Sequence, residues 1–348
     1  MKDRMAPSHN TYQQLTCEER DALIRRHTVE VSSPSVPTQP KLSILIHTYN
    51  HVRFIAQALD GALMQKMDFP CEIVVGEDHS TDGTTEIVLD YQRRQPERIR
   101  VLTAAENLGK YTGNGRFNFI RALGACRGEY IAVLEGDDYW TDPEKIQRQV
   151  HYLDQNSGCA LCHHKVDYVS WPDGKKIREF PPPRYRTPQL DPRDLAMINC
   201  IQTCSVVFRR KWMPPLDEEF QSLNLGDWPL FVLLNQRGWI GYLDRNMAHY
   251  RIHSANVWNN RPAGYRLQAV GRMAEYLLAR VNDGSKDVWE DTILAIAFKE
   301  LALAARSLSP GKFWEKLAFF ARQCVKFKKP FWVFNRLWPY FSAHKLAG

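Results

Sequence analysis

Two adjacent carboxylates, Asp137 and Asp138, close the string Glu135-Gly-Asp-Asp138. Neighbouring carboxylates repel each other, and both stay ionised only beside a cation or hydrogen-bond donors. A hard divalent ion such as Mg2+ or Mn2+, itself bridging substrate phosphates, is the natural partner. The competing explanation is a solvated acidic turn ahead of a helix N-terminus, where Asp is favoured anyway. Two more polar strings, His47-Thr-Tyr-Asn50 and Gly76-Glu-Asp-His-Ser-Thr-Asp-Gly83, follow apolar runs in the same way. Neither carries G-x-G-x-x-G or G-x-x-x-x-G-K-[ST], which counts against a dinucleotide fold and a P-loop. Cys159-Ala-Leu-Cys162-His163-His164 has the outline of a zinc string. On a strand, however, its two cysteines point to opposite faces and a second ligand pair is missing, so core packing is the better reading.

The elements that must position these groups alternate. Leu42–Ile46, Glu72–Val75, Ile99–Leu102 and Tyr130–Leu134 are apolar runs of strand length. Between them, residues 52–63, 84–91 and 117–125 carry helical spacing. Asp142, with Pro143 behind it, opens another helix through Ile146, Val150 and Leu153. Apolar strands alternating with helices predict an α/β fold, a mostly parallel sheet covered on both faces. In such sheets ligands bind beyond the carboxyl ends of the strands, where the three polar strings stand. Past residue 158, Cys159–Val166, Ile201–Phe208, Ile240–Leu243 and Ala248–Ile252 read as strands, and Asp227–Gln236 as a helix. From about Tyr265 onward the pattern is helical. The first 40 residues read as an appendage: a capping box at Thr16–Glu19, a short helix, then a proline-rich linker. Three segments result: residues 1–40, a sheet domain over 41–260, and a helical region over 261–348.

Ser43–Asn50, Glu72–Thr84 and Gly128–Asp138, in this order and at this spacing, resemble glycosyltransferase family 2. The segment from Gly226-Asp-Trp-Pro-Leu230 to Tyr250-Arg-Ile-His253 is similar to bacterial members of that family. The resemblance spans about residues 41–255. It implies the GT-A fold, a nucleotide-sugar donor, a carbohydrate or glycolipid acceptor, and a Mn2+ or Mg2+ cofactor. Residue by residue, it implies that His47, Thr48, Tyr49 and Asn50 border the nucleotide and that Asp78 bonds the base. Glu77 joins them, although the common Asp-Asp-Gly form is replaced here by Glu77-Asp78-His79. Asn107, Gly109 and Lys110 fall where the family closes over base and ribose. Asp137 would face the ribose and sugar, Asp138 the metal, and His253 the metal or diphosphate. Asp227 matches the catalytic base; Gly226 stands where an acid usually precedes it. The implied chemistry is a single displacement that inverts the anomeric carbon, the base taking the acceptor's proton while the metal neutralises the leaving diphosphate. Its setting would be bacterial surface polysaccharide or glycolipid synthesis. The alternatives are a nucleotidyltransferase, for which a glycine-rich basic phosphate loop is missing, and a catalytically silent module of an assembly complex.

The charge balance narrows the partners. Lys and Arg number 46 against 39 Asp and Glu, a net charge of +7. Eight of those bases and only Glu315 among the acids lie in residues 311–348, leaving the first 310 residues neutral. A neutral body argues against nucleic acid as partner. Phe313, Leu317, Phe320, Cys324, Phe327 and Phe331 form an apolar stripe opposite Arg322, Lys326 and Lys329. Such a segment, 309–341, is expected to contact an anionic membrane surface, against the alternative of packing on its own domain. No apolar run reaches the roughly 18 residues of a spanning helix, and the N-terminus lacks a signal-type stretch. The expectation is a cytoplasmic protein, peripheral at the inner face of the cytoplasmic membrane.

Overall fold

The computed structural model describes residues 15–254, 256, 258, 260–306 and 310–329. The chain forms two compact units, one running to Tyr139 and including Pro215–Ser222, the other taking Trp140–Pro214 and everything from Leu223.

In the first unit the expected strands are present and slightly longer than their apolar runs. They are β2 (Leu42–Thr48), β3 (Cys71–Glu77), β4 (Ile99–Ala104) and β5 (Tyr130–Glu135), preceded by β1 (Thr28–Val31). Their order is β1-β4-β3-β2-β5, parallel except for β1. Helices α1 (Cys17–His27), α2 (Ile55–Leu63), α3 (Thr84–Arg94) and α4 (Arg116–Ala125) accompany them. Ile44, Leu45, Ile46, Val74, Val75, Ala132 and Val133 are buried, as strands covered on both faces require.

The N-terminal segment is more than an appendage. The capping box at Thr16 forms as expected. But Leu23 and Ile24 of α1 pack on a cluster of Ala104, Leu108, Phe117 and Ile120, and β1 adds antiparallel to β4. Four residues at a sheet edge carry too short a pattern to read as a strand. Their place is set by the ladder to β4, with Glu30 accepting from Arg100 Nε at 2.8 Å.

After the boundary residues of β6 (Tyr139–Trp140), the second unit holds β7 (Cys159–Ser170), β8 (Lys176–Phe180), β9 (Val207–Arg209) and β10 (Trp239–Ile252). β7 pairs parallel with β10 and antiparallel with β8 and β9. The expected strand over 201–208 is instead a 3-10 turn followed by three strand residues. The two strands expected at 240–243 and 248–252 are one, because register shifts after Leu243 and Asn246 carry the ladder across the polar interruption. Its helices are α5 (Lys145–Gln155), α6 (Pro192–Met197), α8 (Asp227–Asn235), α9 (Ala263–Leu278), α10 (Lys286–Arg306) and α11 (Pro310–Lys326); the short α7 (Glu218–Ser222) belongs to the first unit. Glu144, not Asp142, stands at the cap of α5, and Asp142 accepts from Glu144 N and from Arg245.

The C-terminal stripe is also corrected. Phe313, Leu317, Phe320, Cys324 and Phe327 of α11 pack against Leu294, Ala297, Phe298 and Leu301 of α10. Helix packing, not lipid, covers that face; Phe331 and the rest of 330–341 lie outside the described residues. Among the described residues no helix is long and apolar enough to cross a membrane.

Candidate active site

Sheet register brings the three polar strings together. Thr48 pairs with Glu77 and His47 with Glu135, so the loops after β2, β3 and β5 leave the carboxyl ends of their strands side by side. They are then tied to one another. The Gly136 N–H donates to the His47 carbonyl at 3.0 Å, and Asp78 N–H to the Thr48 carbonyl at 3.1 Å. The Asn50 N–H donates to Ser80 Oγ, and its side-chain carbonyl accepts from Thr81 N at 2.8 Å. Asn50 needs φ 55° for this, a left-handed conformation that Asn tolerates. Gly136 is a close approach: a Cβ there would lie 2.6 Å from Thr48 Oγ1 and 2.8 Å from His51 Nδ1.

Asp78 is 1% exposed and its carboxylate is heavily engaged. Oδ1 accepts from Leu108 N at 2.9 Å; Oδ2 accepts from Gly109 N and from Asn107 Nδ2, both at 3.1 Å. Burial pushes this carboxyl up to about 6, against the Leu108 and Gly109 N–H groups and the nearby Arg121 charge. Asp78 is therefore the anchor of the loop over 106–113. Lys110 on that loop is exposed and paired with Glu106.

Glu77 serves the turn. Its carboxylate accepts from His79 N at 3.1 Å and Ser80 N at 2.8 Å. His79 sits at φ 61°, where the common family form has Gly, and its Nδ1 lies 3.1 Å from the Ala104 carbonyl. Glu77 and the Ala104 contact thus hold a non-glycine residue in a conformation it rarely adopts.

Asp138 is buried and Asp137 half-buried. The donors here are hard carboxylate oxygens, the set that Mg2+ or Mn2+ takes together with phosphate oxygens, so these residues fit the expected ion. His51, which the motif reading passed over, lies beside Asp137, Nε2 to Oδ2 at 3.9 Å, with Nδ1 3.2 Å from Thr48 Oγ1. It follows the His47–Asn50 string directly, and that adjacency was its only signal. Burial pushes the His47 imidazole down to about 4, although the Asp137 charge acts the other way. His47 is neutral at pH 7. Tyr49 remains exposed.

The second unit carries Asp227 and His253. Asp227 is the first residue of α8, capped by Gly226, and its Oδ2 accepts from Asn199 Nδ2 at 2.9 Å. The α8 start is held by Trp228, whose indole N–H donates to the Leu195 carbonyl at 2.7 Å. His253 is buried just past β10 in a turn closed by Asn256, whose side-chain carbonyl accepts from His253 N at 2.6 Å. Cys159, Cys162, His163 and His164 are buried in β7, and burial pushes the Cys159 thiol up to about 11. Among the described residues no three His, Cys, Asp or Glu side chains converge as a cation site.

Residues 43–213 match the model of glycosyl transferase family 2. An uncharacterised protein of Mycobacterium tuberculosis is 39% identical over 219 residues, a match spanning 63% of this chain and 61% of that protein. The fold is similar to that of Staphylococcus aureus TarS residues 1–349, crystallised with UDP-GlcNAc: TM-score 0.58 at 16% identity over 81% of each chain. It is also similar to the Pyrobaculum calidifontis mannosyltransferase PcManGT, solved with GDP-Man and Mn2+: TM-score 0.52 at 17% identity, over 90% of this chain and 88% of that one. The sheet is thus of the GT-A kind, and with its motifs in family order and its family model matched, residues 43–213 of this chain form a glycosyltransferase family 2 domain.

Proposed function

We propose that the protein transfers a sugar from a nucleotide-diphosphate donor to an acceptor hydroxyl, with a divalent ion and inversion at the anomeric carbon. The observation that carries this reading is that Asp78, Asp137 and Asp138 all follow the carboxyl ends of neighbouring parallel strands. Those ends are where ligands of open α/β sheets bind. TarS and PcManGT, solved with UDP-GlcNAc and with GDP-Man and Mn2+, support a donor of this class.

In this reading Asp78 and the 106–113 loop enclose the base, with Asn107 and Lys110 toward the ribose. His47, Thr48, Tyr49 and Asn50 border the nucleotide, and Glu77 supports them through the turn. Asp137 faces ribose and sugar. Asp138 and His253 are the residues that would hold a divalent ion, which would supply charge neutralisation for a departing diphosphate. Asp227 takes the acceptor hydroxyl's proton as that oxygen attacks, and the sugar–phosphate bond breaks on the opposite side. The acceptor is a bacterial surface carbohydrate or glycolipid. The enzyme acts in the cytoplasm, peripherally at the inner membrane face, through its basic C-terminal segment.

Thermal denaturation against a panel of nucleotide sugars, with and without Mn2+, tests the reading, because a ligand of the native state raises its stability. One donor should stabilise the chain, more so with Mn2+. Asp138→Ala should keep the unliganded melting temperature and lose the Mn2+ increment. A panel without any stabilisation, or full transfer by Asp138→Ala under chelator, refutes it.

A further inference from the structure

One face of α11 is used up on α10, yet the helix carries a second apolar line. At 100° per residue, Trp314, Ala318, Ala321 and Val325 fall within about 60° of arc, well apart from the packed stripe. Trp314 is 65% exposed and Val325 79%, and both alanines between them are exposed. An apolar line of this kind, rimmed by polar groups, marks an interaction surface.

The rim identifies the partner. Arg322 borders the line, with Lys326 and Lys312 further round the same side, and Lys328 follows just past the end of the helix; all four are exposed. Glu315 is the single acid of α11. Lys316 and Lys329 are different, because Glu300 on one hand and Glu290 with Asp291 on the other neutralise them against α10. The outward side thus sets Lys312, Arg322 and Lys326 against Glu315 and is net positive. A second copy meeting this face about a two-fold axis would oppose like charges. An anionic bilayer meets it with opposite ones, and Trp is the side chain best suited to the headgroup boundary.

We propose that α11 lies in the plane of an anionic lipid surface through Trp314, Ala318, Ala321 and Val325, with Arg322 and Lys326 on lipid phosphates. This rests on the peripheral location proposed above and assigns it to a face about 110° round the helix from the one the sequence suggested.

Co-sedimentation of the full chain with vesicles tests it, using phosphatidylcholine alone and an equimolar mixture with phosphatidylglycerol. Wild type should bind the mixed vesicles and release from them as salt approaches about 0.5 M. Trp314→Ser with Val325→Ser, and separately Arg322→Glu with Lys326→Glu, should each weaken partitioning about tenfold or more. Their circular dichroism and their stabilisation by a nucleotide sugar should stay as in wild type. If wild type ignores the mixed vesicles, both this face and the peripheral location fall. If the Trp314/Val325 double variant binds as wild type does, the face alone falls and residues 330–348 hold the contact. A wild-type dimer that this variant dissociates, with vesicle binding unchanged, would make the face a contact between copies and overturn the proposal. The transferase reading survives each of these results, since its readout is nucleotide-sugar binding.

Discussion

Asn199 donates its side-chain amide to Asp227, while its own carbonyl accepts the backbone N–H of Ile201 at 3.3 Å. The second bond orients the first, because an amide fixed at its oxygen can offer only NH2 to the carboxylate. A fixed donor holds the carboxylate in one orientation, which a general base requires. Asn199→Ala should lower turnover about tenfold, with donor KM little changed. Asn199→Asp should lower it at least as far, since it keeps the size and loses the donor. Wild-type turnover in both variants would separate Asn199 from the proton transfer.

Gly109 has a similar bearing on the donor loop. Its N–H reaches Asp78, and a Cβ would stand 3.0 Å from Asn107 Oδ1 and 3.1 Å from the Asn114 carbonyl. Gly109→Ala should loosen the loop and weaken donor binding roughly five- to tenfold, leaving kcat within about twofold. Calorimetric titration with the donor identified by thermal shift measures this directly.

Glu72 is the stability counterpart, at the other end of the same strands. Its buried carboxylate accepts from Ser43 Oγ at 2.6 Å, Arg100 Nη1 at 2.8 Å, and Arg127 N, Nε and Nη2 at 2.8, 2.9 and 2.7 Å. Burial raises its pKa, but the bonds from Ser43 and Arg127 outweigh burial and hold it below 4.5. Glu72→Ala leaves Arg100 with Glu30 as its remaining carboxylate and should cost about 1–3 kcal/mol. A carboxyl depressed on folding stabilises above its unfolded pKa and stops doing so as pH falls through the folded value. Wild type should therefore lose stability below about pH 4.5 more steeply than Glu72→Gln, as urea midpoints across that range will show.

Lys145, unlike Glu72, is a buried group whose charge the folded state disfavours. It is fully buried over the Trp140 ring, with Nζ donating to Gln149 Oε1 at 2.8 Å. Burial pushes its amine down to about 7. Between about pH 7 and 10.5 the unfolded chain binds the extra proton, so stability rises with pH across that window. Lys145→Met should flatten the rise and stabilise the protein at pH 7 by about 1–2 kcal/mol. An unchanged pH slope in the variant would rule out Lys145 as its source.

The strands of the first unit were legible because burial on both faces demands continuous apolar residues, and β2, β3 and β5 supply them within single short strings. The polar strings at their ends were legible for the same reason: each is contiguous in sequence. The β1 edge, the continuity of β10 and the 3-10 turn at Thr203–Ser205 were not, since pairing partners and register shifts, not local pattern, set them. Asn199 lies 28 residues from Asp227, and no spacing rule joins them.

What the sequence determined by itself is the alternation of strands and helices, the family, and the identity of the acids at the strand ends. These follow from periodicity and from side-chain chemistry, both of which act over a few residues. Tertiary structure alone decided how those side chains are spent. It engaged both Asp78 oxygens with the 106–113 loop, turned Glu77 into a support for His79, and placed His51 beside Asp137. It also chose which side of α11 meets α10. A helix with two apolar lines can bury either one, and only the shape of the neighbouring helix settles which is covered and which is left facing outward.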